Sequence, residues 1–259
     1  MSRDLMLYPR SEATTSDSPA RTARGEEERG PDLRVRLRDD ARLVTLAEAP
    51  SFAAEQYRGL AFQVAERLNP IGTWGYALTV TSPEQGSGKT LTCLNLALAL
   101  ARGEERRVLL AEGDLWRPQL HNYLEPSPPV GRGLLQVLER RLELGEAVMR
   151  VAGTTLDVLV AGVEEVAGDV MSGRRMSEVL SEMRGAYEVV IIDSPPIGLL
   201  ASARSLASRA DGVLMVVRSG QSQRKAIERS LSSLSPEKVV GMVFNDARVA
   251  RRGSRGYYD

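Results

Sequence analysis

Residues 82–90 read SPEQGSGKT, and this stretch constrains the chain more than any other. An apolar run, YALTVT at 76–81, precedes it, and the apolar run LTCLNLALALA at 91–101 follows it. Strand, glycine-rich turn and helix in that order form the context of a phosphate-binding loop. Gly86 and Gly88 let successive backbone N–H groups turn toward a phosphate, with Ser87 between them. Lys89 places a point charge on the β and γ phosphates, and Thr90 a hydroxyl on magnesium. The helix entry at Leu91 adds unpaired N–H donors and the positive end of the helix dipole. Pro83 stands where the general pattern has its first glycine.

The 259 residues suit one α/β domain with tails. Lysine plus arginine and aspartate plus glutamate both number 34, so net charge gives no reason to expect nucleic acid as a partner. Neither a signal peptide nor a membrane-length apolar run is read, which leads to the expectation of a cytoplasmic protein. Cys93, the single cysteine, lies on the apolar helix and reads as a small buried hydrophobe.

Residues 1–42, rich in Pro, Ser, Thr, Arg and Glu, read as a disordered segment, with Arg34, Arg36 and Arg38 taken as linker rather than strand. A domain follows over 43–247. A helix is predicted over 51–68 with the stripe Phe52, Tyr57, Leu60, Ala61, Val64 and Leu68. Further helices are expected over 134–148, 171–184, 201–209 and 224–234, and loops over 122–133 and 164–169. Strands are expected over 106–111, 156–161, 187–192, 212–218 and 239–245. Alternating buried strands and helices predict an α/β, three-layer fold with a mostly parallel central sheet and helices on both faces. Residues 248–259 form a flexible basic tail containing Tyr257 and Tyr258.

Acidic residues close two of the strands. Glu112 and Asp114 follow the strand over 106–111, where ligands bind in open α/β sheets. Beside a triphosphate they fit a role in metal or water positioning, or else they satisfy Arg117 and a helix N-terminus. Asp193 ends the most strand-like run and is followed by Ser194-Pro195-Pro196, a Walker B arrangement that holds magnesium or its water. Asn245 ends the last strand, where its amide either reads a base edge or caps a turn.

Taken together, the helix with Glu55-Gln56-Tyr57-Arg58, the loop over 81–90, the strand end over 109–118, Asp193-Ser194-Pro195-Pro196 and Gly241-Met242-Val243-Phe244-Asn245 resemble the bacterial tyrosine kinases of capsule and exopolysaccharide assembly. Those kinases sit within the wider MinD and ParA group of P-loop ATPases. The resemblance spans about residues 45–245. Glu84 occupies the place of the early loop lysine of MinD-like members. The resemblance implies ATP or ADP and Mg2+ as cofactors, Lys89, Glu112, Asp114 and Asp193 as catalytic residues, and Thr90, Asp114 and Asp193 around the metal. Gly86, Ser87, Gly88, Lys89, Thr90, Leu91 and Asn245 would hold the nucleotide, Asn245 at the purine. Tyr257 and Tyr258 would be the phosphoacceptors.

The implied activity is ATP-dependent tyrosine autophosphorylation regulating polysaccharide synthesis and export. The alternatives are a catalytically weakened nucleotide-binding adaptor of the same machinery and a MinD/ParA-like ATPase. The implied partner is the cytosolic segment of a membrane polysaccharide co-polymerase, which would recruit the chain to the inner face of the membrane. Four positions and the tail depart from the family pattern. Glu112 replaces an aspartate, Trp116 an arginine, Ser202 an aspartate and Ala61 the second arginine of the ring-assembly helix, and the tyrosine cluster shrinks to two. With Ala61 in place, a weak, concentration-dependent homo-oligomer or a monomer is expected rather than a persistent ring.

Overall fold

The computed structural model describes residues 33–47, 51–68, 75–103, 106–162, 171 and 173–247. In chain order these form β1 (Arg34–Leu37), α1 (Phe52–Arg67), β2 (Tyr76–Thr81), α2 (Lys89–Gly103), β3 (Val108–Glu112) and β4 (Leu124–Glu125). There follow α3 (Leu134–Leu138), α4 (Leu144–Ala147), β5 (Met149–Val151), β6 (Leu156–Leu159), α5 (Arg174–Ala186) and β7 (Val189–Asp193). The last are α6 (Ala201–Arg209), β8 (Gly212–Arg218), α7 (Arg224–Ser232) and β9 (Val239–Asn245).

The strands make one sheet in the order β4-β1-β5-β6-β3-β7-β2-β8-β9. From β6 to β9 every pairing is parallel. Antiparallel pairing enters only at the other margin, between β5 and β6 and between β1 and β4. Alternate residues of the central strands feed opposite cores, as a two-sided sheet requires. Leu78 and Val80 of β2 join Leu94 and Leu98 of α2 with Ala61 and Val64 of α1. Ala77 of β2 joins Met176 and Val179 of α5 and Leu206 of α6 on the other face. A smaller cluster under α7 holds Val213 and Met215 of β8 with Ile227 and Leu231. The sheet is therefore the middle of three layers. Cys93 is fully buried in α2, the role its composition suggested.

Register brings the functional ends together. Glu112 of β3 lies opposite Asp193 of β7, and Val80 of β2 opposite the same aspartate. On the far side Arg218 of β8 faces Asn245 of β9. The carboxyl ends of five adjacent strands thus share one rim.

Three expectations are corrected. Residues 34–37 are not linker: they form β1, paired to β4 and β5, and Val35 is buried in the core. Alternation of exposed arginines with Val35 and Leu37 is the pattern of an edge-side strand, and it supplied the signal. The helix expected over 134–148 breaks in two. Arg140 takes φ +60, and Glu143 starts the second helix with a capping box to Glu146. In α1 the cap is Ser51, whose hydroxyl accepts from Ala54 N–H, and Ala61 and Val64 face inward, but Phe52 is 46% exposed rather than part of the stripe. The loop over 164–169, residues 1–32 and the tail over 248–259 with Tyr257 and Tyr258 lie outside the described residues.

Candidate functional site: a phosphate loop beside a single open carboxylate pair

A cleft of about 670 Å³ opens on this rim, its floor formed by the turn from β2 into α2. Gly86 and Gly88 adopt φ of +74° and +88°, the left-handed region that side chains resist. Gly88 also lacks room: a Cβ there would stand 2.0 Å from Asn245 Nδ2. The hydroxyls of Ser82 and Ser87 both donate to the carbonyl of Glu84, at 2.6 and 3.0 Å, which closes the loop from within. Ile197 N–H donates to Ser82 O at 2.9 Å, tying the loop to the segment after β7. Gly86, Gly88, Lys89, Thr90 and Leu91 all line the cleft, whereas Ser87 is buried beneath it.

Thr90 and Asp193 meet at the floor. Thr90 Oγ1 donates to Asp193 Oδ2 at 2.5 Å, while Asp193 Oδ1 is buried without any hydrogen-bond partner. Burial pushes the Asp193 carboxyl up to about 7, opposed by the Thr90 hydroxyl and the charge of Lys89 and reinforced by Glu112 and Asp114. Asp114 also lines the cleft. Its Oδ1 accepts from Arg117 N–H at 3.1 Å, and burial raises its carboxyl against the backbone bonds and the Lys89 charge that lower it. An orphaned carboxylate oxygen, a hydroxyl and a second carboxylate are hard oxygen donors, and they suit Mg2+. Among the described residues no three His, Cys, Asp or Glu side chains cluster as an all-protein metal cage. That also agrees with Mg2+, which keeps water and takes phosphate oxygens beside one or two carboxylates.

Glu112 does not join them. It is 1% exposed and absent from the cleft lining. Its carboxylate accepts from the N–H groups of Gln119, Leu120 at 2.6 Å and Ala161 at 2.9 Å. The extra methylene carries the charge past the rim and into a ring of backbone donors, so of the implied catalytic acids only Asp114 and Asp193 reach the cleft, and Glu112 does not. Burial raises the Glu112 carboxyl, and those three backbone bonds pull it back down.

Asn245 lines the far wall. Its Nδ2 donates to Ser87 O and its Oδ1 accepts from Asp246 N–H, both at 3.0 Å. One N–H and one lone pair remain. Trp116 is 60% exposed and Arg117 turns into the cleft, where it donates to Gln85 Oε1 at 2.7 Å. The remaining walls escaped the sequence reading. Arg218 donates to Gly86 O and pairs with Asp246, both at 3.3 Å. A charged residue closing a buried strand was its signal, as for Asp193. Arg42, bound to Asp40 and 5.8 Å from the Tyr123 ring centroid, had none, because it sits in a stretch read by composition alone. Buried Asn95 of α2 holds that stretch in place, donating to Arg42 O and accepting from Thr45.

A parallel sheet with a glycine-rich loop entering a helix, a hydroxyl–aspartate contact at its base and a second acidic loop beside it define a P-loop nucleotide-binding protein. The chain belongs to the CobQ/CobB/MinD/ParA nucleotide binding domain family, whose pattern matches residues 78–257. It is 29% identical over 221 residues to tyrosine-protein kinase YwqD of Bacillus subtilis, covering 83% of this chain and 90% of that protein. It is 30% identical over 186 residues to tyrosine-protein kinase ptk of Acinetobacter johnsonii, covering 70% of this chain but only 24% of that longer protein. The kinase domain of Escherichia coli tyrosine kinase ETK has the same fold, with a TM-score of 0.69 at 22% identity over 81% of this chain and 83% of that domain. No helix among the described residues is long and apolar enough to cross a membrane.

Proposed function

We propose that the chain is an ATP-dependent protein tyrosine autokinase that regulates exopolysaccharide or capsule synthesis and export. The observation that carries this is the pairing of Thr90 with Asp193, whose second oxygen is orphaned, directly under the glycine loop and beside Asp114. Likeness to tyrosine-protein kinases along nearly the whole length of YwqD favours the kinase over a purely nucleotide-binding adaptor.

Gly86, Gly88 and the entry of α2 present backbone N–H groups to the phosphates, and Lys89 neutralises the β and γ oxygens. Thr90, Asp114 and Asp193 would hold Mg2+, which when bound would offset the charge of the phosphates. A tyrosine hydroxyl, from Tyr257 or Tyr258 of a neighbouring copy, attacks the γ-phosphorus. The bond from that phosphorus to the bridging oxygen breaks, ADP leaves with the electron pair, and the phenolic proton passes to the Asp114 carboxylate. Arg117 and Arg218 add positive charge at the two ends of the cleft.

The partner is the cytosolic segment of a membrane polysaccharide co-polymerase, which brings the protein to the inner face of the membrane. Homo-oligomers are weak: Glu55 and Arg58 on the exposed face of α1 pair with each other, and Ala61 is buried. Incubating purified protein with ATP and Mg2+ and mapping phosphotyrosine by mass spectrometry tests the reading. Phosphate on Tyr257 or Tyr258 is expected, and its loss in Asp114→Asn. Tight ATP binding with no phosphotyrosine, with or without the partner segment, rejects the kinase and leaves the adaptor.

A further inference from the structure

The turn that follows β3 is tied at both of its ends. At its start Gly113 N–H donates to Asp193 O at 2.8 Å, which joins the turn to β7. At its close the N–H groups of Gln119 and Leu120 both donate to Glu112 Oε1, while Glu112 Oε2 takes the N–H of Ala161 at the end of β6. Between these ties stand Asp114 and Arg117, both of which line the cleft. One buried carboxylate therefore satisfies three backbone donors from two separate segments, and two of them, at Leu120 and Ala161, belong to buried residues.

We propose that Glu112 is a positioning residue: its carboxylate holds the acidic turn against β6 and so sets where Asp114 stands relative to Thr90 and Asp193. The inference rests on the nucleotide-binding reading above and is independent of whether tyrosine is the acceptor.

Length is what the task demands. Aspartate keeps the charge but falls one methylene short, so it cannot reach Leu120 and Ala161 together. Glutamine keeps the length. Its single carbonyl oxygen can accept from Gln119 and Leu120 as Oε1 does now, at the cost of an NH2 group facing Ala161 N–H. A group that took part in the chemistry would rank the two substitutions in reverse, because it needs charge before length.

The test compares full-length wild type, Glu112→Gln and Glu112→Asp. Two quantities are read: ATP turnover, and the gain in ATP affinity on replacing EDTA by Mg2+. Both should fall in the order wild type, Gln, Asp. The Asp variant should lose about 10- to 100-fold in kcat, the penalty of misplacing a reacting group by up to about 1 Å. ATP affinity in EDTA should stay as in wild type, since the glycine loop is untouched. An Asp variant that matches or exceeds the Gln variant in either quantity overturns the proposal. Amide hydrogen exchange on wild type gives a second reading that needs no activity. The Gln119, Leu120 and Ala161 amides should be protected, and exchange at the rate of an open loop overturns the proposal. If wild type binds no nucleotide at all, the functional reading fails while the exchange result still decides the role of Glu112.

Discussion

The loop after β2 presents backbone to the cleft, and the turn after β3 presents side chains. In the first, Gly86, Gly88 and the start of α2 are consecutive, so one short stretch sets both the conformation and the chemistry. In the second, Asp114 and Arg117 line the cleft, but what fixes them lies elsewhere: Asp193 O on β7 and, through Glu112, Ala161 at the end of β6. The first arm is closed largely from within, by the Ser82 and Ser87 hydroxyls on Glu84 O, whereas the second is fixed from β6 and β7. A substitution in the loop should act on binding itself. A substitution in the turn should act on what happens once the nucleotide is bound.

The largest effect expected is on the loop. Lys89→Ala removes charge-assisted contacts to two phosphates and should weaken ATP binding by about 10- to 100-fold with the fold intact. Calorimetry in EDTA isolates the effect from any metal. Equal affinities in wild type and variant would remove the loop from the site and dissolve the contrast between the arms.

Asp114→Asn comes next and should do the opposite. Affinity in EDTA should be retained, even slightly improved, since a negative charge near the phosphates is gone. The gain on adding Mg2+ should largely vanish, and with it turnover. A variant that loses affinity equally with and without Mg2+ would show that the turn, too, serves binding alone.

Asp193 links the arms, being bonded to both Thr90 and Gly113. Its folded carboxyl sits near 7, raised mainly by burial above an unfolded value of 3.8. Between those values the folded protein keeps a proton that the unfolded chain has lost. Stability without ligand therefore falls as pH rises through that window and levels off above it. Mg2+ must displace the same proton, so the Mg2+-dependent gain in affinity should climb with pH toward 7 and then flatten. Melting temperatures of wild type and Asp193→Asn across pH 5 to 8 check the first half: the slope should shrink in the variant, leaving only what Asp114 and Glu112 contribute. A wild-type slope of opposite sign would place the charged form of Asp193 as the stable one.

Legibility follows the same division. The P-loop, its strand and its helix were readable because each depends on neighbours in sequence. So were Asp193 and the parallel sheet, from buried runs ending in a charge. Glu112 was left open between metal or water positioning and satisfying a helix N-terminus, because composition at a strand end says that an acid is present, not that Gln119, Leu120 and Ala161 will claim it. The strand Arg34–Leu37 was passed over because four residues of alternation are short, and its pairing partners lie beyond position 120. Arg42 and Tyr123 reach the cleft only through contacts that Asn95 and Arg38 make across long separations, with Arg38 donating to Leu124 O and its N–H to Tyr123 O. No local pattern encodes such contacts.

The smallest effect expected tests whether the self-contained arm is as independent as it looks. Sequence left Asn245 open between reading a base and capping a turn, and the structure gives it a capping bond to Asp246 N–H and a bond to Ser87 O within the loop. Those two bonds use half of the amide's capacity, so the remaining N–H and lone pair are available to a purine edge. Both roles can therefore coexist, and they make different demands on a variant. Asn245→Ala removes a neutral bond to the loop, costing about 1 kcal/mol or about fivefold in affinity. If pinning Ser87 is all that Asn245 does, ATP and GTP should weaken alike, because the loop serves the phosphates they share. If the free half of the amide also reads the base, the loss should be larger for ATP, and the ratio of ATP to GTP affinity should shrink. Measuring both nucleotides in EDTA against wild type and Asn245→Ala separates the outcomes without involving the acidic turn. We expect the ratio to shrink. An unchanged ratio assigns Asn245 to the loop alone, and the first arm then depends on β9 for its shape just as the second depends on β6.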